Sequence, residues 1–402
     1  MNFGSERADA LGDLLENHRR TLPQVKQGRR SGLEKRSWHV PEDARRGTRD
    51  PGAPEGRPLP GAELGPIFGI HGELTDIQPL GRGHIHRTFL AHYRADDGRV
   101  ERYVHQQLND SVFVDLDSLM DNFVRISAHL GARAGDDRRA VRLQLTADGR
   151  PFARVSGAPW RTLAFIDGSR TSRRFDGPGQ AAEGAALAAG LVADLADLTP
   201  PPVEVIPAFH DVVERLNALD RARAADVVDR AAECGVEVDV VLSHGAVAVE
   251  VAEAREAGVL PQRTVHNDAK VENLLFDATS GQGLCMVDLD TVGPGTVLFD
   301  VGDLVRSGAV TGPEDADAAA LSVDPGIVTA LLDGYARAGA GFLTPAEVRY
   351  LPVAGPLMAL ESAARFLTDH LQGDVYFRVD GPGHNLRRAR NQIRILELLR
   401  PG

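Results

Sequence analysis

Alternating apolar positions dominate the first half of this chain, and helically spaced ones dominate the second. Segments 77–80, 88–93 and 102–107 read as strands, and Gly81, Gly83 and Asp96-Asp97-Gly98 supply turns between them. That pattern predicts a small antiparallel sheet. Leu116, Leu119, Met120 and Phe123 share one face of a helix over 117–129, which Asp117 or Ser118 could cap. Segments 141–145 and 152–155 flank Asp148-Gly149 and predict a hairpin, followed by an extended run over 160–166. From 181 the texture becomes Ala- and Leu-rich, with helices predicted over 181–198, 211–234 and 243–257. Short strands and loops are expected over 263–304, then helices to the end. Strands first and helices second give an α+β, bilobal plan with a small β-rich N-lobe and a larger helical C-lobe.

The first 61 residues fit neither period, and 41–60 is rich in Pro, Gly, Arg and Asp. Residues 1–60 hold 12 Lys and Arg against 9 Asp and Glu, a net of +3 in a chain whose total is -12. We read 1–61 as a disordered extension with a short helix around 11–15, 62–166 as the N-lobe and 167–402 as the C-lobe. A basic arm for an acidic partner is the competing reading of the extension.

Composition narrows the function classes. An acidic chain of 402 residues argues against nucleic acid as the main partner, because phosphate-backbone binding needs a basic face. No apolar run is long enough to span a bilayer, and no signal core follows the first charges. Cys234 and Cys285 lie apart and outside any metal-ligand spacing, which fits a reducing cytoplasm.

The chemistry concentrates in His266-Asn267-Asp268-Ala269-Lys270-Val271-Glu272-Asn273, followed by Val287-Asp288-Leu289-Asp290-Thr291. Phosphoryl transfer explains why these types occur together. An attacking hydroxyl needs a proton acceptor, which Asp268 offers. Mg²⁺ on the ATP phosphates needs hard oxygen ligands, which Asn273 and Asp288 offer. The five-residue step from Asp268 to Asn273, with a later strand ending in Asp288, matches the protein-kinase arrangement. Period-two alternation would put Asp288 and Asp290 on one face of an extended strand. Taken singly, a surface Asp is usually only solvated and an Asn near a turn usually caps it. The ordered set, with two carboxylates closing an apolar strand, is what calls for a cation.

These segments resemble the aminoglycoside phosphotransferase and choline kinase superfamily, and within it the N-acetylhexosamine 1-kinases. The likeness extends over 81–89, 103–109, 287–303, 365–377 and His384-Asn385-Leu386, and runs from about 62 to the C-terminus. It implies a protein-kinase-like fold and ATP- and Mg²⁺-dependent phosphorylation of an anomeric hydroxyl. Asp268 would be the general base, Asn273 and Asp288 the metal ligands, and His84, Asp290 and Arg365 the sugar contacts. Gly81 and Gly83 would approach the phosphates, Gln106 would stand at the position of the kinase strand lysine, and Phe165 and Ile166 would meet adenine in a hinge over 163–167. Asp300 and Asp303 would cap a helix or brace the catalytic loop. The expected partner is a small-molecule sugar, with no nucleic acid or membrane partner, and the expected state is a cytoplasmic monomer.

Two departures stand out. Gln106 replaces a lysine, which leaves the positive charge at the phosphates to the metal, Lys270 or Arg82. His86 replaces an amide beside the sugar position. The alternatives are a kinase of an aminoglycoside, a cyclitol or another sugar, and an inactive kinase-like binding module.

Overall fold

A computed structural model describes residues 63–81, 85–312 and 316–400. The predicted extension over 1–61, together with Gly83 and His84, lies outside them. Structure begins with a single helical turn, α1 (Leu64–Ile67), which lays Leu64 and Phe68 under the first sheet. Strands β1 (Glu73–Pro79), β2 (Arg87–Arg94) and β3 (Val100–Gln107) follow, then α2 (Leu116–Arg133), β4 (Leu143–Gln144), β5 (Ala153–Val155) and β6 (Ala158–Ala164). The sheet runs β1-β2-β3-β6-β4 with β5 also on β6, antiparallel throughout. Phe89, Ala91 and Tyr93 recur at the strand period and bury one face, where Trp160 meets Phe89 at 5.9 Å between ring centres.

The predicted hairpin is corrected. A turn does form at Asp148-Gly149, with Gly149 at φ +83 and Thr146 Oγ1 accepting the Arg150 N–H at 2.7 Å. Its two arms pair with β6 rather than with each other, because that strand is long enough to offer one edge to both. The cap of α2 is Asp115, whose Oδ1 accepts the Ser118 N–H at 3.0 Å, and not Asp117 or Ser118.

Beneath the sheet lie β7 (Ser169–Arg170), α3 (Pro178–Asp194), α4 (Val212–Ala225), α5 (Gly235–Ser243) and α6 (Ala246–Glu256). Then come β8 (Arg263–Val265), β9 (Leu274–Asp277), β10 (Gly283–Met286), β11 (Gly293–Gly295), α7 (Val297–Gly308), α8 (Pro325–Ala338), α9 (Pro345–Leu371) and α10 (His384–Leu399). One large core joins these helices and takes in Leu119, Met120, Phe123 and Ile126 of α2. The fold is therefore α+β with an antiparallel N-lobe sheet and a helical C-lobe.

Two helical expectations are corrected. The run over 211–234 breaks at Asp226, which is left-handed at φ 39 and accepts the N–H groups of Arg230 and Ala231. Within 263–304 the expected loop is helix α7 from Val297. Its residues Val297 to Val305 are all buried, so the sequence shows an apolar run in which helix and strand look alike. Cys234 and Cys285 are free and buried, and burial pushes their thiols up to about 11 and about 12. Among the described residues, no helix is long and apolar enough to cross a membrane.

The N-lobe carries a buried titratable group with a measurable consequence. His105 on β3 has no exposed surface and is wedged between the Tyr93 hydroxyl at 3.0 Å and Thr162 Oγ1 at 2.7 Å. Burial lowers its pKa from 6.5 to about 4. The unfolded chain therefore binds this proton more readily, and stability is lost as pH falls from 6.5 toward 4, by about 3 kcal/mol from this group. Thermal melts of wild type and His105→Gln at pH 7.5 and 4.5 test this: the variant should lose less on acidification.

Candidate active site

Strand β8 leads directly into His266-Asn267-Asp268, and the loop is held from several sides. Asp300, in the first turn of α7, accepts the N–H groups of His266 at 2.9 Å and Asn267 at 2.8 Å. Burial pushes its carboxyl up to about 6 despite these donors. Thr296 occupies the cap position of α7, so Asp300 braces the loop and does not cap the helix. His266 Nε2 donates to the Val287 carbonyl at 2.9 Å, and Thr291 Oγ1 donates to the His266 carbonyl at 2.8 Å. Asn267 adopts φ 62, which turns the chain sharply just before Asp268. Gly295 is required opposite: a Cβ there would meet Val265 at 2.4 Å and Asn267 Oδ1 at 2.5 Å. Asp303 receives Arg306 at 3.0 Å, and its carbonyl accepts Ser307, whose hydroxyl accepts the Val271 N–H.

Asp268 is half-buried. Its Oδ2 accepts from Lys270 Nζ at 2.7 Å and from Asn273 Nδ2 at 3.1 Å, which leaves Oδ1 for a substrate hydroxyl. Burial pushes its carboxyl up, but Lys270, His266 and Arg306 outweigh that and hold it below the usual range. Asn273 Nδ2 also donates to the Asp268 carbonyl at 2.8 Å, so its amide oxygen is the atom left to face a cation. The Val287 N–H donates to the Asn273 carbonyl at 2.9 Å and so ties Asp288 to the same loop. Burial, then the charge of Asp290, raise the Asp288 carboxyl, and Lys270 only partly offsets them. A carboxylate crowded by burial and like charge is a place where a cation gains most. Among the described residues there is no cluster of three His, Cys, Asp or Glu. Two oxygen donors, with the rest supplied by phosphates and water, fit Mg²⁺ and not a fully protein-bound metal.

Asp288 and Asp290 do not share a strand face. Strand β10 ends at Met286, Asp288 is left-handed at φ 62, and a 3₁₀ turn, Leu289–Thr291, follows. This twist sends Asp290 inward. Its Oδ1 receives Arg161 Nη1 at 2.5 Å, and its Oδ2 receives Arg161 Nη2 and His86 Nε2 at 2.7 Å each. Arg161, then His86, outweigh burial and hold the Asp290 carboxyl well below the usual range. Gln106 accepts from Arg161 Nε at 2.8 Å and donates to Thr88 at 3.2 Å.

On the C-lobe side, the guanidinium of Arg365 on α9 lies 5.4 Å from the ring of Phe209, 5.8 Å from Tyr376 and 5.5 Å from Phe377. The loop carrying Tyr376 and Phe377 hangs on Asp369, which accepts the N–H groups of Val375, Tyr376 and Phe377. Asn385 then bridges Asp369 and Asp374, which gives the 365–377 and 384–386 segments one joint purpose. One turn before Arg365, Glu361 is 3.7 Å from it and 2.8 Å from His210 Nδ1. His210 Nε2 reaches the Asn267 carbonyl at 2.7 Å, next to Asp268.

Of the residues expected to meet the nucleotide, Gly81 sits at φ +74, with no atom within 4 Å of where a Cβ would stand. The Phe165 N–H is taken by the Arg102 carbonyl, and the Ile166 carbonyl accepts from Ser169. Ile166, Leu275 and Cys285, with half-buried Val287, form a separate apolar patch that includes one of the residues expected at the hinge. Sequence reasoning missed Arg161, Glu361 and His210. A charge inside the apolar run 160–166 and a carboxylate four residues before Arg365 were the available signals for the first two; His210 had none.

The APH phosphotransferase enzyme family matches residues 76–341. Among solved structures, the chain resembles an aminoglycoside phosphotransferase from Alicyclobacillus acidocaldarius, at 13% identity, covering 87% of this chain and 96% of that one, with TM-score 0.53. A spectinomycin phosphotransferase in complex with ADP and spectinomycin matches at 11% identity, 86% and 100% coverage, and TM-score 0.55. An amicoumacin kinase in complex with AMP-PNP and Ca²⁺ matches at 15% identity, 83% and 91% coverage, and TM-score 0.53. At these identities the likeness is one of fold.

Proposed function

We propose that this chain, which belongs to the APH phosphotransferase enzyme family, transfers the γ-phosphoryl group of ATP to the anomeric hydroxyl of an N-acetylhexosamine. As a member it is a small-molecule phosphotransferase with a hydroxyl acceptor. The observation that carries the reading is the meeting of Asp268, Lys270 and Asn273 within hydrogen-bond distance, with Asp288 tied to the same loop. Asp268 Oδ1 takes the proton of the sugar hydroxyl as its oxygen bonds to the γ-phosphorus and ADP leaves. Lys270 stays charged, because Asp268 and Asp288 outweigh the effect of burial, and it places a fixed cation beside the transferred group. Asn273 and Asp288 would hold Mg²⁺, which when bound would neutralise phosphate charge. With Gln106 bound to Arg161, Lys270 is a side-chain cation, among the described residues, placed to support this step.

The acceptor side favours a neutral sugar. Arg365 lies among three aromatic rings, and burial together with the Arg365 charge lowers the pKa of neighbouring Arg215. Aromatic faces suit the apolar face of a hexose and an acetyl methyl, while Glu361 balances part of the guanidinium charge. ADP release measured over a panel of N-acetylhexosamines, hexoses, cyclitols and aminoglycosides tests the reading. Signal is expected with N-acetylglucosamine or N-acetylgalactosamine, and turnover of aminoglycosides alone overturns it. Arg365→Ala should raise the sugar KM about 10–100-fold, the worth of one charge-assisted hydrogen bond, with the ATP KM nearly unchanged.

A further inference from the structure

A guanidinium with no exposed surface sits in the middle of β6, in a run that carries no other charge. Such a charge is retained only where its partners are built to receive it. Arg161 has them on every side. Two of its N–H groups clamp Asp290, a third reaches Gln106, which lies opposite it in the strand register, and its flat face stacks on the Phe123 ring at 4.4 Å. These partners come from the sheet, from α2 and from the turn that follows Asp288.

Asp290 has a further donor, and its proton can be placed. The Asn109 N–H donates to His86 Nδ1 at 3.1 Å, so that nitrogen carries no hydrogen. His86 is therefore neutral and gives its single N–H, on Nε2, to Asp290 Oδ2. Both oxygens of Asp290 thus accept hydrogen bonds, from residues 129 and 204 positions away in sequence. It stands two residues from Asp288, and His86 stands one residue before β2.

We propose that Arg161, Asp290 and His86 form an interlobe latch, in which three positioning residues fix the start of β2 against the Asp288 turn and so set where the ATP–Mg²⁺ phosphates are held. On this view Asp290 is neither a metal ligand nor a sugar contact. Gln106 on β3 accepts from Arg161 Nε and so helps aim the guanidinium at Asp290. His86 succeeds because its neutral imidazole offers one donor and one acceptor. An asparagine amide offers the same pair. The inference rests on the kinase reading above.

The test is binding of ATP with Mg²⁺ by calorimetry on the full chain, alongside steady-state KM values for ATP and sugar. Asp290→Asn and Arg161→Lys should each weaken ATP–Mg²⁺ binding about 10–100-fold, the usual effect of losing an orienting partner. The sugar KM should stay within about 3-fold, on the same expectation that the loss falls on the nucleotide side. His86→Leu should weaken nucleotide binding about 10-fold, and His86→Asn should recover part of it, since only the amide keeps a donor and an acceptor at this position. If the two buried variants fail to fold, the His86 pair decides alone. Loss in Leu with recovery in Asn supports the latch, and equal binding by both overturns it. A rise in sugar KM with ATP binding intact also overturns it and returns Asp290 to the acceptor site. Wild type that binds no ATP would instead remove the kinase reading, which separates the two failures.

Discussion

Asp268→Asn is expected to lower kcat by about 10²–10⁴-fold, the usual cost of removing a positioned general base, with ATP binding and melting temperature close to wild type. The side chain keeps its size, and the loop does not depend on it. Asp300, Thr291 and the His266–Val287 bond hold the backbone through other atoms. What changes is the capacity to take a proton, because Lys270 and Asn273 both face Oδ2 and leave one oxygen to do so. The loss therefore falls on the chemical step and not on substrate affinity. Single-turnover ADP formation at saturating ATP and sugar measures it directly, and turnover equal to wild type would take Asp268 out of the mechanism.

Asp288→Asn is expected to cost about 10²–10³-fold in kcat/KM for ATP, the scale of removing one preorganised electrostatic contact, and to raise the Mg²⁺ concentration needed for half-activity. Two observations lead there. Burial and Asp290 push the Asp288 carboxyl up, so its charge is poorly compensated by the protein alone. Asn273 turns its amide nitrogen to Asp268 and so supplies one neutral oxygen, which cannot balance a divalent ion unaided. A Mg²⁺ titration of activity, paired with the thermal shift produced by ATP with and without Mg²⁺, reads both effects. An unchanged Mg²⁺ midpoint would assign the metal to other groups. Asp288→Asn should also be no less stable without ligand, because it removes a carboxylate the free protein accommodates badly.

Local sequence carried much of this protein. The strand period in β2, the apolar face of α2 at Leu116, Leu119, Met120 and Phe123, and the five-residue step from Asp268 to Asn273 are short-range properties. They follow from backbone geometry and side-chain alternation, and the fold class and the loop bearing Asp268 could be read from them. What failed to read correctly was decided by partners far away. Strands β4 and β5 pair one after the other along a single edge of β6, which the tertiary fold brings against both. Asp288 and Asp290 part company because one left-handed residue undoes the alternation of an extended strand. The buried Arg161, the His210–Glu361 link beneath Asn267 and the assignment of His86 to Asp290 join residues tens to hundreds of positions apart. Periodicity fixes which face a side chain takes within one element. Burial of a charge in the tertiary fold decides which distant group must answer it, since a buried ion without a partner costs too much to persist.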